Sequence, residues 1–187
     1  MGRPLHKMSL DDFLAWEDEQ IEKHEFYQGE VFAMVGARRV HECVVSNLVV
    51  ELGSALRGSP CRVYATNMKL LAADDSVLYP DIQVSCDRAD RTAETALRSP
   101  TLVVEVLSPS TQAYDRSQKF ALYRRLASLK EYLLIDPESR RVEAFRRNAD
   151  DQWVFHDMSQ DELLAVPCLT VTVPMAQVFD GVDPPPQ

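Results

Sequence analysis

The segment 101–135 constrains the fold of this chain more than any other. Residues 101–107, TLVVEVL, are almost entirely aliphatic or β-branched, which is typical of a buried strand. Residues 114–129 carry leucines at helical spacing, and residues 131–135, EYLLI, have the pattern of a second strand. A strand, a helix and a strand in this order predict a crossover connection that lays a helix against one face of a sheet.

The other segments predict a mixture of helices and strands. Ser9 opens an N-terminal helix of about ten residues, residues 26–35 have the pattern of a β-hairpin with its turn at Gln28–Gly29, and residues 41–56 have helical periodicity. Short β-branched segments predict strands at 62–66, 68–72, 81–86, 142–145, 153–156 and 169–173. The fold class is therefore α/β, a central mixed β-sheet flanked by helices, with an N-terminal helix and β-hairpin. A regular doubly wound fold does not fit this order.

The composition is that of one ordinary globular domain. The chain has 187 residues, of which 45% are hydrophobic and 26% charged. We expect a single domain over residues 1–187, with an extended, frayed tail at 182–187. No stretch approaches the roughly 18 apolar residues of a membrane span, and the N-terminus lacks an apolar signal region. We therefore expect a cytoplasmic protein without a membrane partner.

The four cysteines predict neither a disulfide framework nor a zinc site. Cys43, Cys61, Cys86 and Cys168 are widely scattered, without a CxxC pair. We expect them to be small buried residues in a reducing compartment.

The net charge limits the choice of partners. With 20 Lys and Arg against 29 Asp and Glu, the formal charge is −9 and the pI about 4.9. Such a molecule repels a phosphate backbone, which disfavours an obligate, non-specific nucleic-acid binder but does not exclude a local site.

Two carboxylates occupy unusual places in the predicted strands. Glu105 shares a strand face with Val103 and Leu107, so its charge needs compensation from a partner. A buried ion pair or a wet edge strand would explain it without chemistry. Asp81 follows Pro80 at the start of a strand and is by itself typical of a turn residue. Together, Asp81, Glu105 and the carbonyl of Val106 would suit a hard divalent cation such as magnesium.

The helix after Glu105 carries two charges on its apolar stripe. Reading backwards from Leu126 and Leu122, the next positions on that face are Lys119 and Asp115. A surface salt bridge between Asp115 and Lys119 is the simpler explanation. Because the charges continue the buried stripe, we favour a site in which Lys119 approaches Glu105.

These motifs together resemble those of the Uma-two family, a branch of the PD-(D/E)xK restriction-endonuclease-like nucleases. The residues that carry the resemblance are Pro80–Asp81, the run 103–111 (VVEVLSPST), Asp115, Lys119, Tyr123, the run 131–137 (EYLLIDP), Tyr27 to Val31 and His41. The match covers most of the chain. Leu107 stands where the superfamily usually has lysine two residues after the acid, and the resemblance implies that Lys119 fills this role from the helix.

The resemblance implies a metal-dependent DNA endonuclease with Mg²⁺ as cofactor and Mn²⁺ as a substitute. Asp81 and Glu105 would hold the ion, and Lys119 would orient a water or stabilise negative charge, with Asp115 orienting Lys119. Glu30 is a further candidate ligand, with a solvated hairpin residue as the alternative. His41 is a candidate for phosphate binding or for shaping the site, although a solvent-facing helix N-terminal histidine is the commoner case.

Two other functions fit the same residues. One is a catalytically silent nucleic-acid or protein interaction module on the same fold. The other is metal-dependent hydrolysis of a smaller phosphoester. A homodimer is expected if the substrate is double-stranded, but no dimer motif is evident in the sequence.

Overall fold

The computed structural model describes residues 4–34, 36–73 and 75–182, in which two six-stranded sheets form the framework. The first, called here the N-terminal sheet, has the spatial order β1-β3-β2-β6-β5-β8, and the second, called the central sheet, has the order β12-β11-β10-β9-β7-β4. Two short strands, β13 and β14, pair separately. The strands are β1 (His6–Lys7), β2 (His24–Tyr27), β3 (Glu30–Ala33), β4 (Arg62–Ala65), β5 (Lys69–Ala73), β6 (Ser76–Leu78), β7 (Ile82–Ser85), β8 (Ala96–Leu97), β9 (Pro100–Val106), β10 (Glu131–Asp136), β11 (Arg141–Arg147), β12 (Trp153–Asp157), β13 (Leu163–Val166) and β14 (Val171–Pro174).

The helices pack on the faces of these sheets. They are α1 (Leu10–Glu17), α2 (Arg39–Ala55), α3 (Gln112–Tyr114), a π-helical segment (Asp115–Lys119), α4 (Phe120–Tyr123) and α5 (Met175–Val178), with 3₁₀ turns at Asp90–Thr92 and Pro167–Leu169. Ser9 caps α1 by accepting a hydrogen bond from the amide of Asp12. No helix within the described residues combines the length and apolar character that a membrane crossing needs.

The predicted crossover is present and builds the centre of the molecule. Strands β9 and β10 run parallel, with Glu105 paired to Leu134, while β7 and β11 flank them in antiparallel pairs. The central sheet is therefore mixed, as predicted. The helix differs from the prediction of 114–129: it begins at Gln112, passes through the π-helical segment and ends at Tyr123. Leu126 and Leu129 continue the apolar stripe from the loop that follows and still pack in the same cluster.

Alternation along β9 separates two hydrophobic cores. Leu102, Val104 and Val106 face α2 and the β13–β14 ribbon. Val103 and Leu107 face α4 and the inner side of the N-terminal sheet. A third, smaller cluster joins α1 to the outer side of that sheet through Phe13. The face of the central sheet that contains Glu105 is thus covered by α4 and by the N-terminal sheet.

The hairpin and the tail agree only in part with the predictions. Strands β2 and β3 flank the predicted turn, where Gln28 and Gly29 both have positive φ angles of 49° and 85°, the geometry of a tight hairpin turn. Val35, which ended the predicted hairpin, lies outside the described residues. Val182 is buried, so the expected frayed tail does not include it, and residues 183–187 lie outside the described residues.

The expectation for the cysteines was wrong for one pair. Cys61 and Cys86 form a disulfide. The pairing of β4 with β7 places Arg62 opposite Ser85, so the next pair along the register is Cys61 and Cys86. Cys43 and Cys168 are free and partly buried. Scattered positions in the sequence gave no sign of this pair, because cross-strand proximity depends on the register of the strands.

Candidate active site

The register of two neighbouring strands brings Asp81 next to Glu105. Ile82 of β7 pairs with Val104 of β9, so the residue before β7 lies opposite Glu105. Asp81 Oδ2 accepts a hydrogen bond from the amide of Val106 at 2.7 Å, and its carbonyl accepts one from Thr66 at 3.0 Å. The carboxylate is therefore anchored to the backbone of the strand that carries Glu105.

His41 contacts the same carboxylate from the first turn of α2. Its Nε2 lies 3.1 Å from Asp81 Oδ2, and its Nδ1, which is buried without a hydrogen bond, lies 3.5 Å from Glu42 Oε1. Burial lowers the pKa of His41. The hydrogen bond and charge of Asp81, followed by those of Glu42, raise it by more in total, so the net shift of the pKa is upward. His41 is thus a buried partner of Asp81 and not a solvent-facing residue.

The π-helical segment presents Asp115, Lys119 and Tyr123 to Glu105. In an uninterrupted α-helix of 3.6 residues per turn, positions eight apart are about 80° out of line. A π segment takes more residues per turn, which reduces that offset and brings the three side chains onto one face. Lys119 Nζ lies 3.1 Å from Glu105 Oε1 and 3.4 Å from Asp115 Oδ1, and the Tyr123 hydroxyl donates to Glu105 Oε1 at 2.7 Å.

Glu25, which the sequence analysis missed, joins the cluster from the N-terminal sheet. Its Oε1 lies 3.2 Å from Lys119 Nζ. Phe26 packs against Phe13 on the outer side of the sheet, so its neighbour Glu25 points inward by strand alternation. That alternation in the segment HEFY was the available signal in the sequence.

Glu30 lies away from the cluster. It sits at the turn end of β3, opposite Tyr27 and Lys7, and forms an ion pair with Lys7 at 3.0 Å. The side chains of Glu30 and Glu25 lie on the same, inner face of the sheet. Glu30, however, is on the neighbouring strand β3 and two residue pairs closer to the hairpin turn. The structure thus places Glu25, and not Glu30, beside Lys119. For Val106 the observed contact is its amide with Asp81, and its carbonyl as a cation ligand stays a prediction.

The cluster holds more negative charge than the protein compensates. Three carboxylates, those of Glu25, Glu105 and Asp115, lie within 3.4 Å of Lys119 Nζ, a fourth, that of Asp81, adds its charge from nearby, and Glu105 and Asp115 are each only 2% exposed. Burial raises the pKa of Glu105 well above its ordinary value, the charges of Asp81 and Asp115 add to this, and Lys119 and Tyr123 offset it in part. Burial also raises the pKa of Asp115.

Lys119 keeps its proton in this surrounding. Burial lowers the pKa of Lys119, but the charges of Glu105, Glu25 and Asp115 raise it by more, so that it lies well above the ordinary value. Glu25 Oε1 and Asp115 Oδ1 are within ion-pair distance of Nζ, yet neither accepts a well-aligned hydrogen bond from any described residue. The excess of buried acceptors favours an additional cation.

The donor chemistry fits a hard divalent cation that keeps part of its water shell. Among residues 4–34, 36–73 and 75–182, no group of three or more His, Cys, Asp or Glu side chains is arranged to hold a metal ion by itself. Asp81 and Glu105 each use only one carboxylate oxygen in hydrogen bonds to described residues. Magnesium is commonly bound by one or two carboxylates, with water and substrate phosphate completing its shell, so two protein ligands suffice.

Three arginines form contacts with groups of the protein itself. Arg146 pairs with the buried Glu131 at 2.8 Å, and Arg147 donates to the carbonyl of Arg124 and stacks over Trp153. Arg38, three residues before His41, pairs with Glu138 at the surface.

Comparison with solved structures defines the class of fold. A crystal structure from Anabaena variabilis, described as "a putative nuclease belonging to DUF820", superimposes with a TM-score of 0.78 at 19% sequence identity, covering 94% of this chain and 99% of that one. The fold is restriction-endonuclease-like, as predicted.

The chain belongs to the Uma2 family, described as "Putative restriction endonuclease", whose family model matches residues 10–176. Two uncharacterized proteins of Synechocystis sp. are similar to it along most of their length. The protein slr1290 is 32% identical over 180 residues, covering 96% of this chain and 95% of the relative. The protein sll1609 is 34% identical over 154 residues, covering 81% of this chain and 87% of the relative. The family description supports a nuclease.

Proposed function

We propose that this protein is a magnesium-dependent endonuclease that hydrolyses phosphodiester bonds of DNA at the cluster formed by Asp81, Glu105 and Lys119. The observation that carries the proposal is the uncompensated negative charge around Glu105. Three carboxylates share Lys119, and a fourth, that of Asp81, contacts His41, in a largely buried site on the inner face of the central sheet. Placing carboxylates in this way costs stability, so a cation that offsets their charge gives the arrangement a purpose.

Asp81 and Glu105 would hold the cation, with the Val106 carbonyl as a third oxygen donor. The ion would bind a non-bridging phosphate oxygen and lower the pKa of a water molecule. The Val106 amide and His41 fix one oxygen of Asp81, which leaves its other oxygen for coordination. His41 thus acts on the site by orienting Asp81.

Lys119 would act as a fixed positive charge. Because its pKa lies well above the ordinary value, it stays protonated at neutral pH and is a poor proton acceptor. Its ammonium group can instead stabilise the negative charge that develops on the phosphate in the transition state. Asp115, four residues earlier on the same face, would keep Lys119 directed toward Glu105.

The net charge of the molecule limits how strongly it binds DNA. A net charge of −9 predicts weak DNA binding that weakens further as salt increases. Neutralising the carboxylates with a divalent ion would reduce the local repulsion.

A homodimer would place two such sites on opposite strands, so it would linearise a plasmid where a monomer only nicks it.

The test is nicking of supercoiled plasmid at low salt with Mg²⁺ or Mn²⁺. The variants are Glu105→Gln and Lys119→Met, and Asp157→Asn is the control because it removes one exposed negative charge on β12. We expect cleavage by the wild type and the control, a loss of at least a hundredfold in Glu105→Gln and Lys119→Met, and no cleavage in EDTA.

Other results would point to the other functions. A folded protein that leaves the plasmid intact with both Mg²⁺ and Mn²⁺ contradicts the proposed endonuclease activity. Cleavage of a small phosphodiester alone would favour hydrolysis of smaller substrates. DNA binding without any hydrolysis would favour the silent interaction module.

A further inference from the structure

The two oxygens of the Glu105 carboxylate have different surroundings. Oε1 accepts hydrogen bonds from Lys119 Nζ at 3.1 Å and from the Tyr123 hydroxyl at 2.7 Å. Oε2 accepts none from the described residues. Both protein donors therefore hold the same oxygen, which fixes the rotation of the carboxylate group.

Tyr123 is held rigidly enough to impose this orientation. Its side chain is fully buried, and its ring packs against Tyr132 with 5.3 Å between the centroids. It follows Lys119 by one turn of the helix, on the face that the π-helical segment aligns with Glu105. The hydroxyl donates to Glu105 Oε1, and no other described residue accepts its proton.

We propose that Tyr123 is a positioning residue whose hydroxyl turns Glu105 Oε1 toward Lys119 and leaves Oε2 as the cation ligand. This inference rests on the proposed function and names the device that presents the carboxylate. Lys119 alone cannot define the orientation, because its ammonium group is shared with Glu25 and Asp115. Hydrogen bonds to the ligands of a metal commonly change metal affinity by about ten- to a hundredfold.

The experiment measures Mn²⁺ affinity by calorimetry on the full chain, together with urea unfolding of the metal-free protein. Tyr123→Phe removes only the hydroxyl. Tyr79→Phe is the matched control, because the Tyr79 hydroxyl is also buried and donates to a buried carboxylate, Glu17 Oε1, at 2.9 Å. Glu105→Gln removes the ligand itself. Replacing Tyr123 with 4-aminophenylalanine restores a hydrogen-bond donor at the same place.

We expect the Kd for Mn²⁺ to rise at least tenfold in Tyr123→Phe, to stay within twofold of the wild type in Tyr79→Phe, and to recover with 4-aminophenylalanine. An unchanged Kd in Tyr123→Phe overturns the positioning role and leaves the metal-dependent function intact. An equal rise in both phenylalanine variants also overturns it, because loosening of the fold would then explain the change. A wild type that binds no Mn²⁺ overturns the proposed function and this role together.

Discussion

Lys119 is surrounded by carboxylates, and their balance decides both the stability and the chemistry of the site. An ammonium group buried alone would lose its proton, but three carboxylate oxygens lie 3.1, 3.2 and 3.4 Å from Nζ. The acids outnumber the base, so part of their charge stays unbalanced in the metal-free protein. Such sites commonly lower folding stability for the sake of function.

Replacing Glu105 with glutamine should stabilise the metal-free protein at neutral pH. Because burial raises the pKa of Glu105, its folded-state pKa exceeds the unfolded one. The protonated form therefore contributes stability below the unfolded pKa of about 4.3, and this is lost as pH rises through the folded pKa. We expect Glu105→Gln to raise the free energy of unfolding at pH 7 by about 0.5 to 2 kcal/mol. Urea unfolding measures it, and a loss of stability would show that the ionised carboxylate is well compensated.

For His41 the folded protein favours the charged form, whereas for Glu105 it favours the neutral form. Its pKa is raised in the folded state, so the charged imidazole stabilises the metal-free protein fully below pH ~6.5, and this stabilisation is lost as pH rises through the folded pKa. We expect the stability difference between the wild type and His41→Gln to shrink as pH rises above 6.5, in urea titrations at several pH values. A difference independent of pH would contradict the raised pKa.

Individual site residues were predictable to different degrees. Glu105 and Lys119 could be identified because each interrupts a pattern that is otherwise apolar, whereas Asp81 was identified as a partner for Glu105 on a neighbouring strand. Alternation in the segment HEFY indicates only that Glu25 points inward. Its place beside Lys119 depends on the N-terminal sheet packing against the helix, which is a tertiary contact.

At the scale of elements, the π-helical segment does more for the site than its length suggests. It aligns Asp115, Lys119 and Tyr123, and the Tyr132 hydroxyl donates to the backbone carbonyl of Asp115 at 3.0 Å. Arg116 ties the same segment to β11 through two hydrogen bonds to Glu143. The segment is therefore held from the sheet beneath it.

Tyr132→Phe should weaken this support. The change leaves a hydrogen-bond acceptor of the helix without its donor, which costs about 1 to 3 kcal/mol when the group is buried. We expect the free energy of unfolding in urea to fall by that amount while secondary structure by circular dichroism is retained. A change below about 0.5 kcal/mol, typical of neutral surface substitutions, would show that the helix needs no such support.

Periodicity predicted most elements but not how the crossover helix is wound. The apolar stripe from Leu122 to Leu129 continues beyond the last helical turn, because residues in the following loop bury the same face. The sequence 115–119 has no proline or glycine to announce a π-helical turn. That turn arises from tertiary contacts with the sheet, and local propensity contains little information about them.

At the scale of the whole molecule, two sheets face one another with the cluster between them. The mixed central sheet was predictable from the crossover, whereas the second six-stranded sheet was not, because its strands are short and distant in sequence. The disulfide between Cys61 and Cys86 fastens β4 to β7, the strand that begins beside Asp81. Strand β7 therefore connects the disulfide with the carboxylate of Asp81 in the candidate site.

Removing the disulfide should lower the stability of the whole fold. The cysteines are 25 residues apart, and closing a loop of that length contributes roughly 3 kcal/mol by restricting the unfolded chain. We expect Cys61→Ser/Cys86→Ser, or reduction of the wild type by dithiothreitol, to lower the free energy of unfolding by about that amount, and reduction of Cys43→Ala to do the same. If dithiothreitol has no effect on the wild type, the bond is not a stabilising link in solution.

The central claim is that Asp81 and Glu105 hold a divalent cation, and anomalous diffraction from crystals soaked in Mn²⁺ tests it most directly. The account predicts one anomalous peak between these carboxylates, at about 2.0 to 2.3 Å from an oxygen of each, and no peak there in Glu105→Gln crystals. Mn²⁺ bound only elsewhere, or unaffected by Glu105→Gln, would contradict it.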